Sequence, residues 1–144
     1  MNVRPSLWLT ILPSLLLVVA AFAAAPTAAA AQRLTIRLVQ ATQEGQGASE
    51  GLRDVAPLLE RNLPFRRFDL LESRTIRLPA SETVLFAVGL SVKCEGGEEA
   101  LSLFVQAGGT VLLQTQVRLT GQTPLILGGF PAPGGRRLLV LTAR

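Results

Sequence analysis

From Phe65 to the C-terminus, turn-forming residues interrupt the chain about every ten residues, and most segments between them alternate apolar with polar side chains. A period of two places alternate residues on opposite faces of a strand, so this half of the chain must form sheet. Thr83 to Cys94 reads as one long strand with Val84, Phe86, Val88, Leu90, Val92 and Cys94 on one face and Gly89 marking a bend on the other. Glu95–Glu98, Ala107–Gly109 and Thr120–Gln122 read as hairpin turns. Between the first two, Leu101, Leu103 and Val105 share a face; between the last two, Val111, Leu113, Val117 and Leu119 do so against Gln114, Gln116 and Arg118. Pro124–Leu127 and Leu138–Ala143 are apolar on both faces, as in strands covered on both sides or in one partly exposed apolar surface.

The segment before Phe65 holds one strand and one helix. In Gln32–Thr42, Leu34, Ile36 and Leu38 alternate with Arg33, Thr35 and Arg37, which predicts a half-buried strand with one solvated face. Gln43–Glu50 is polar and glycine-bearing, hence a loop. Leu52, Val55, Ala56, Leu59 and Leu63 repeat at helical spacing and predict a short helix over Leu52–Asn62, with Ser49 as its N-cap. Pro57 fits only near the first turn, where its missing N–H costs little. Then Phe68 and Leu70, and after them Ile76 and Leu78, point inward from two further strand segments. The fold class is therefore mainly β with one short helix (α+β), an antiparallel meander forming a sandwich or curved sheet.

The first residues carry a different signal. Arg4 precedes an almost wholly apolar run, Leu7–Ala25, followed by small residues with Ala-x-Ala spacing at Ala29 and Ala31. Positive charge, apolar run and small cleavage residues in that order predict a secretory signal peptide over residues 1–31, a single exported domain over residues 32–144, and a periplasmic or extracellular location. The alternative is an uncleaved membrane anchor, since the run is just long enough to cross a bilayer.

Composition restricts the chemistry. The chain has no His, which removes the commonest general base and metal ligand. Its single cysteine, Cys94, excludes an internal disulfide and, being in phase with core positions, reads as a buried thiol. The formal charge is +4, but the arginines are scattered and lack interleaved aromatics, so nucleic acid is not an expected partner; contact with anionic lipid headgroups or polysaccharide is compatible with the charge. Ser91 with Lys93, or Glu95, Glu98 and Glu99, are the only groupings that suggest a hydrolase. No cofactor or metal is expected.

Gly128–Arg137, GGFPAPGGRR, lies between two apolar runs. A strand follows it rather than a helix, so it does not read as a phosphate loop; a hairpin connection stiffened by Pro131 and Pro133 is expected. Phe130 near its tip, with Pro131, Pro133, Arg136 and Arg137, forms a candidate interaction surface, because aromatics with arginines make interface anchors. TPLILGGF, the Gly/Pro loop and RRLLVLTA together resemble the closing strands of bacterial secretins, outer-membrane channels of secretion and pilus systems. The chain is far too short for a channel subunit and lacks the Val-Pro-x-x-Gly-Asp-x-Pro element of that family. The resemblance implies a small envelope protein with similar hairpin chemistry. More broadly, the chain resembles small exported β-rich bacterial proteins.

The expected function is an exported protein-interaction or assembly domain that binds another envelope protein by a sheet edge or by the C-terminal hairpin. The alternative is a carrier of a lipid or other apolar ligand in a barrel or cleft. A hydrolase would need Ser91, Lys93 or the glutamates to converge in a pocket.

Overall fold

A computed structural model describes residues 32–119 and 123–144. The signal-peptide segment, residues 1–31, and the turn expected at Thr120–Gln122 lie outside the described residues. The elements in chain order are β1 (Arg33–Thr42), β2 (Gly47–Ala48), a 3-10 turn (Glu50–Leu52), α1 (Ala56–Asn62), β3 (Arg67–Arg77), β4 (Ala80–Leu85), β5 (Leu90–Gly97), β6 (Ala100–Ala107), β7 (Thr110–Val117), β8 (Leu125–Ala132) and β9 (Gly135–Ala143). They form two sheets, ordered β2-β3-β1-β9-β8 and β4-β5-β6-β7. All pairings are antiparallel except the short β2–β3 contact. The second sheet is a plain meander. The first is closed around β1 by strands from both ends of the domain.

Two cores result. The first lies between the sheets and contains Leu34, Ile36, Leu38, Leu139 and Leu141 from one side and Val92, Cys94, Leu101, Leu103 and Val105 from the other. The second lies on the far face of the first sheet, where Leu52, Val55 and Leu59 cover Val39, Ala41, Phe68, Leu138 and Val140. β9 is covered on both faces, as its unbroken apolar run requires. The helix is shorter than its apolar stripe suggested, because Pro57 falls in its first turn and the preceding residues form the separate 3-10 turn. Ser49 does not cap it; its hydroxyl accepts the Leu70 N–H at 2.8 Å instead.

Several expectations are corrected. The odd-numbered face of β1 is solvated only at its start, at exposed Arg33 and half-buried Thr35: Val39 and Ala41 are buried under the helix and Arg37 is 8% exposed. Thr83–Cys94 is two strands, not one. Gly89, at φ 80°, closes a hairpin in which the Gly89 N–H donates to the Phe86 carbonyl at 3.1 Å and the Phe86 N–H to the Leu90 carbonyl at 2.8 Å. The next turn falls at Glu98–Glu99, because Gly97 and Ala100 still pair. Phe68 and Leu70 share one strand with Ile76, yet the two sets face different cores. The register shift opposite Leu38/Val39 leaves Leu71 unpaired, so even-numbered residues change face there. The same happens in β7: Leu112 is the extra residue, and Val111 turns outward to 50% exposure.

Arg37 joins the layers on the helix side. Its guanidinium donates to both carboxylate oxygens of Asp54 (2.7 and 2.9 Å), to the Gly51 carbonyl (3.1 Å) and to the Thr142 hydroxyl (3.0 Å). One side chain of β1 thereby holds the 3-10 turn, the approach to α1 and β9. The Arg37 hydrogen bonds hold the Asp54 carboxyl below its ordinary value of 3.8, against a smaller opposing effect of burial.

Leu139→Ala, in the first core, should cost about 2–5 kcal/mol, whereas Val111→Ser should change stability by no more than about 0.5 kcal/mol; urea melts compare them. A large loss at Val111 would contradict the bulge at Leu112. Asp54→Asn should cost about 1–2 kcal/mol at neutral pH, less than for a fully buried pair because water screens the half-exposed carboxylate. A carboxyl whose pKa is depressed on folding stabilises above its unfolded value. That contribution fades as pH falls below 3.8 and through the lower folded value. The gap between wild type and Asp54→Asn in urea melts should therefore close on acidification.

Candidate functional site

The β8–β9 hairpin contains the residues that the sequence offered as an interaction surface. Ala132 pairs with Gly135, leaving Pro133–Gly134 as a two-residue tip with Gly134 at φ 80°. Proline followed by a positive-φ glycine suits a type II turn. Phe130 is not at this tip. It is 8% exposed and belongs to the core between the sheets. The cause is a bulge at Gly129: Gly128 pairs with Leu138 and Phe130 with Arg137, so the ring swings to the opposite face from the one simple alternation would give. Gly128 and Gly129 both have positive φ, and a Cβ on Gly128 would come within 2.9 Å of the Arg137 carbonyl oxygen. Pro131, Pro133 and Arg136 remain exposed, and Arg137 is half-buried. Arg136 donates to the Gly129 carbonyl at 2.9 Å, so it secures the bulge. The hairpin thus presents prolines and Arg136 to solvent without an aromatic anchor.

The sheet edges differ sharply in how they are defended. Native edges are blunted by shortness, proline, bulges or inward-pointing charge. β2 is two residues long. β4 carries Glu82, paired with Cys94 and therefore on the inward face of the sheet. β8 carries the Gly129 bulge and Pro131. β7, TVLLQTQV, has neither charge nor proline, and after the bulge at Leu112 it runs regularly from Leu113 to Val117. Leu113 and Val117, with Leu125 and Leu127 of β8, are half-buried against the core between the sheets. Among the described residues, a ladder of backbone groups without a strand partner thus borders an incompletely covered apolar seam.

The residues considered for hydrolysis lie on the outer face of the second sheet and at its tip. Lys93 and Glu95 pair with each other at 3.2 Å and line an open trough of about 580 Å³ with Ser102, Phe104, Gln114 and Gln116. Ser91 sits one row away, paired with Leu85 and Gln106. Glu98 and Glu99 occupy the hairpin tip, where Glu99 meets Arg118 at 3.3 Å. These side chains do not converge on one point. Among the described residues, no three His, Cys, Asp or Glu side chains are placed to hold a metal ion. The two sheets do not close into a barrel, and Leu34, Ile36, Leu139, Leu103 and Val105 occupy the space between them.

Cys94 is fully buried. Burial pushes its thiol up to about 11, and the Glu82 charge adds to the effect.

Comparison with protein-family models, with curated protein sequences and with solved structures found no match. The functional case for this chain therefore rests on its own geometry. Two features of that geometry escaped the sequence. The β7 edge was invisible because no local signal says which strand ends a sheet. The inward placement of Glu82 escaped because β4 starts at Ala80, before the strand that the alternation predicts from Thr83.

Cys94 should resist an aromatic disulfide reagent in the folded protein at about pH 8, near the free-thiol value, and react at once in denaturant. In the folded state its modification should rise with alkalinity toward a midpoint near 11, and Glu82→Gln should lower that midpoint. Rapid labelling of the native protein at neutral pH would contradict the buried placement.

Proposed function

We propose that this chain is an exported interaction domain that takes an extended segment of another envelope protein as an added strand on β7. The observation that carries this reading is the contrast among edges: β2, β4 and β8 each bear a device against pairing, and β7 bears only the bulge at its start. Strand addition uses main-chain hydrogen bonds for affinity and pockets for alternate side chains for specificity. The half-buried Leu113, Val117, Leu125 and Leu127 offer the apolar contacts that such a strand would cover. The export signal expected from residues 1–31 supports an envelope setting, and no catalytic step is assigned. The filled interior supports this reading over a carrier of apolar ligands.

The test is crosslinking and affinity recovery of the tagged protein, expressed with its own N-terminal segment in its native cell, with proteins and lipids both identified by mass spectrometry. Thr115 lies opposite Leu103 on the inward face of β7, so Thr115→Lys places a charge where natural edges place one. A specific envelope protein should be recovered with wild type, lost with Thr115→Lys and retained with Thr83→Lys on the opposite edge. A partner unaffected by Thr115→Lys, or a bare monomer, would overturn the proposal. Stoichiometric lipid without a protein would favour the carrier.

A further inference from the structure

Arg33, Arg77 and Arg144 form a row across three adjacent strands of the first sheet. Arg33 pairs with Arg77 on one side. On the other, Arg33 and Arg144 exchange backbone hydrogen bonds of 2.7 and 2.9 Å. Residues directly opposite one another in a sheet share a face, so three guanidinium groups emerge side by side on the helix-bearing face. Like charges placed directly opposite each other destabilise a sheet. None of the three takes part in the ion pairs among the described residues, which use Arg37, Arg53, Arg67, Arg74, Lys93 and Arg118; Arg144 acts on the Asp54 carboxylate only at longer range. All three are exposed, beyond the residues that the helix covers.

The next row inward is Thr35, Thr75 and Thr142, with Thr35 Oγ1 and Thr75 Oγ1 3.3 Å apart. Behind it Arg37 holds Asp54, the carboxylate that lines the same shallow hollow as Arg144. The surface therefore presents guanidinium forks beside hydroxyl groups, with the Asp54 carboxylate already engaged by Arg37. Arginine matches phosphate oxygens in planar, two-bond geometry.

We infer that the Arg33–Arg77–Arg144 row binds the phosphate groups of an anionic membrane surface. Charge complementarity carries the choice of anion, and the course of the chain carries the choice of a membrane. The apolar run Leu7–Ala25 is separated from Arg33 only by Pro26–Gln32, a connection that spans at most roughly 25 Å. Retention of that run would tether the domain within that reach of a bilayer, with Arg33 at the tethered end. Cleavage after Ala31 would instead add the α-ammonium group of Gln32 beside Arg33. This surface is separate from the β7 edge and does not depend on it.

The test is co-sedimentation of the protein, as recovered from an exporting cell, with phosphatidylcholine vesicles and with vesicles of phosphatidylcholine and phosphatidylglycerol. The quantity read is the increase in binding caused by phosphatidylglycerol. Arg33→Gln/Arg77→Gln should reduce that increase at least about tenfold, since each basic residue at an anionic surface contributes roughly fivefold. The same variant should melt no lower than wild type, because it removes like-charge repulsion. Arg66→Gln/Arg136→Gln, an equal change of charge near the opposite end of β1, should leave the increase within about twofold of wild type. Salt should abolish the increase. The proposal is overturned if phosphatidylglycerol makes no difference, if the two double variants weaken binding equally, or if dextran sulfate is bound while phosphatidylglycerol vesicles are not.

Discussion

From Ile36 to Val39 β1 is buried on both faces, and it is paired along both edges; the positions of the other layers follow from that. Its even-numbered residues Leu34, Ile36 and Leu38 belong to the core between the sheets; Val39 and Ala41 belong to the core under the helix. β3 and β9 satisfy its backbone groups on either side. Over this central stretch neither face is left in water for a charge, and yet Arg37 sits there. Burying a guanidinium is tolerable only where its hydrogen bonds are supplied, and Asp54, Gly51 and Thr142 supply them. Its Nε remains without a partner. A well-packed apolar residue of similar volume is often no worse than such a pair. The value of Arg37 therefore lies in placement: it fixes where the Glu50–Leu52 turn meets the sheet, and so where Leu52, Val55 and Leu59 close the second core.

Three bulges change which face of a strand points inward. A strand of strict alternation commits its even residues to one side along its whole length. Leu71 breaks that commitment in β3, so Phe68 and Leu70 face the helix while Ile76 faces the second sheet. Gly129 does the same in β8 and turns Phe130 inward. Leu112 does it in β7, with the opposite result, since Val111 is turned out to solvent. Each bulge sits where the chain passes from one packing environment to another.

That is also why parts of the fold could be read from the sequence and others could not. Alternation in Leu101–Val105 and the unbroken apolar run Leu138–Ala143 identify inward faces directly, because nothing in those segments interrupts the pleat. The double glycine at Gly108–Gly109 marks its hairpin, both residues having positive φ as a tight two-residue turn requires. Val84 to Cys94 misleads, because Phe86 and Leu90 keep the same parity across the hairpin at Gly89. Phe130 misleads for a different reason. Its neighbours form a turn, but whether an aromatic next to a glycine bulge points in or out depends on backbone dihedral angles that the residue types permit without dictating. Of the candidate surface, Pro131, Pro133 and Arg136 are exposed, but only Pro133 lies in the turn; Pro131 and Arg136 pair across the hairpin strands. The free β7 edge and the arginine row depend on strand order, which local patterns do not encode.

Strand order also separates the two proposed surfaces. A segment added to β7 extends the second sheet sideways, in the plane of that sheet. The arginine row faces outward from the first sheet, on the side away from the second. Packed sheets lie about 10 Å apart, with their apolar faces together. A membrane against the arginine row would thus contact one layer of the sandwich, and a partner strand would lengthen the other. Charge acts at the first surface and backbone hydrogen bonding at the second, so ionic strength should weaken one and leave the other largely intact. With these separate chemistries, a domain of this size can be held at a surface while its free edge remains available to an extended chain.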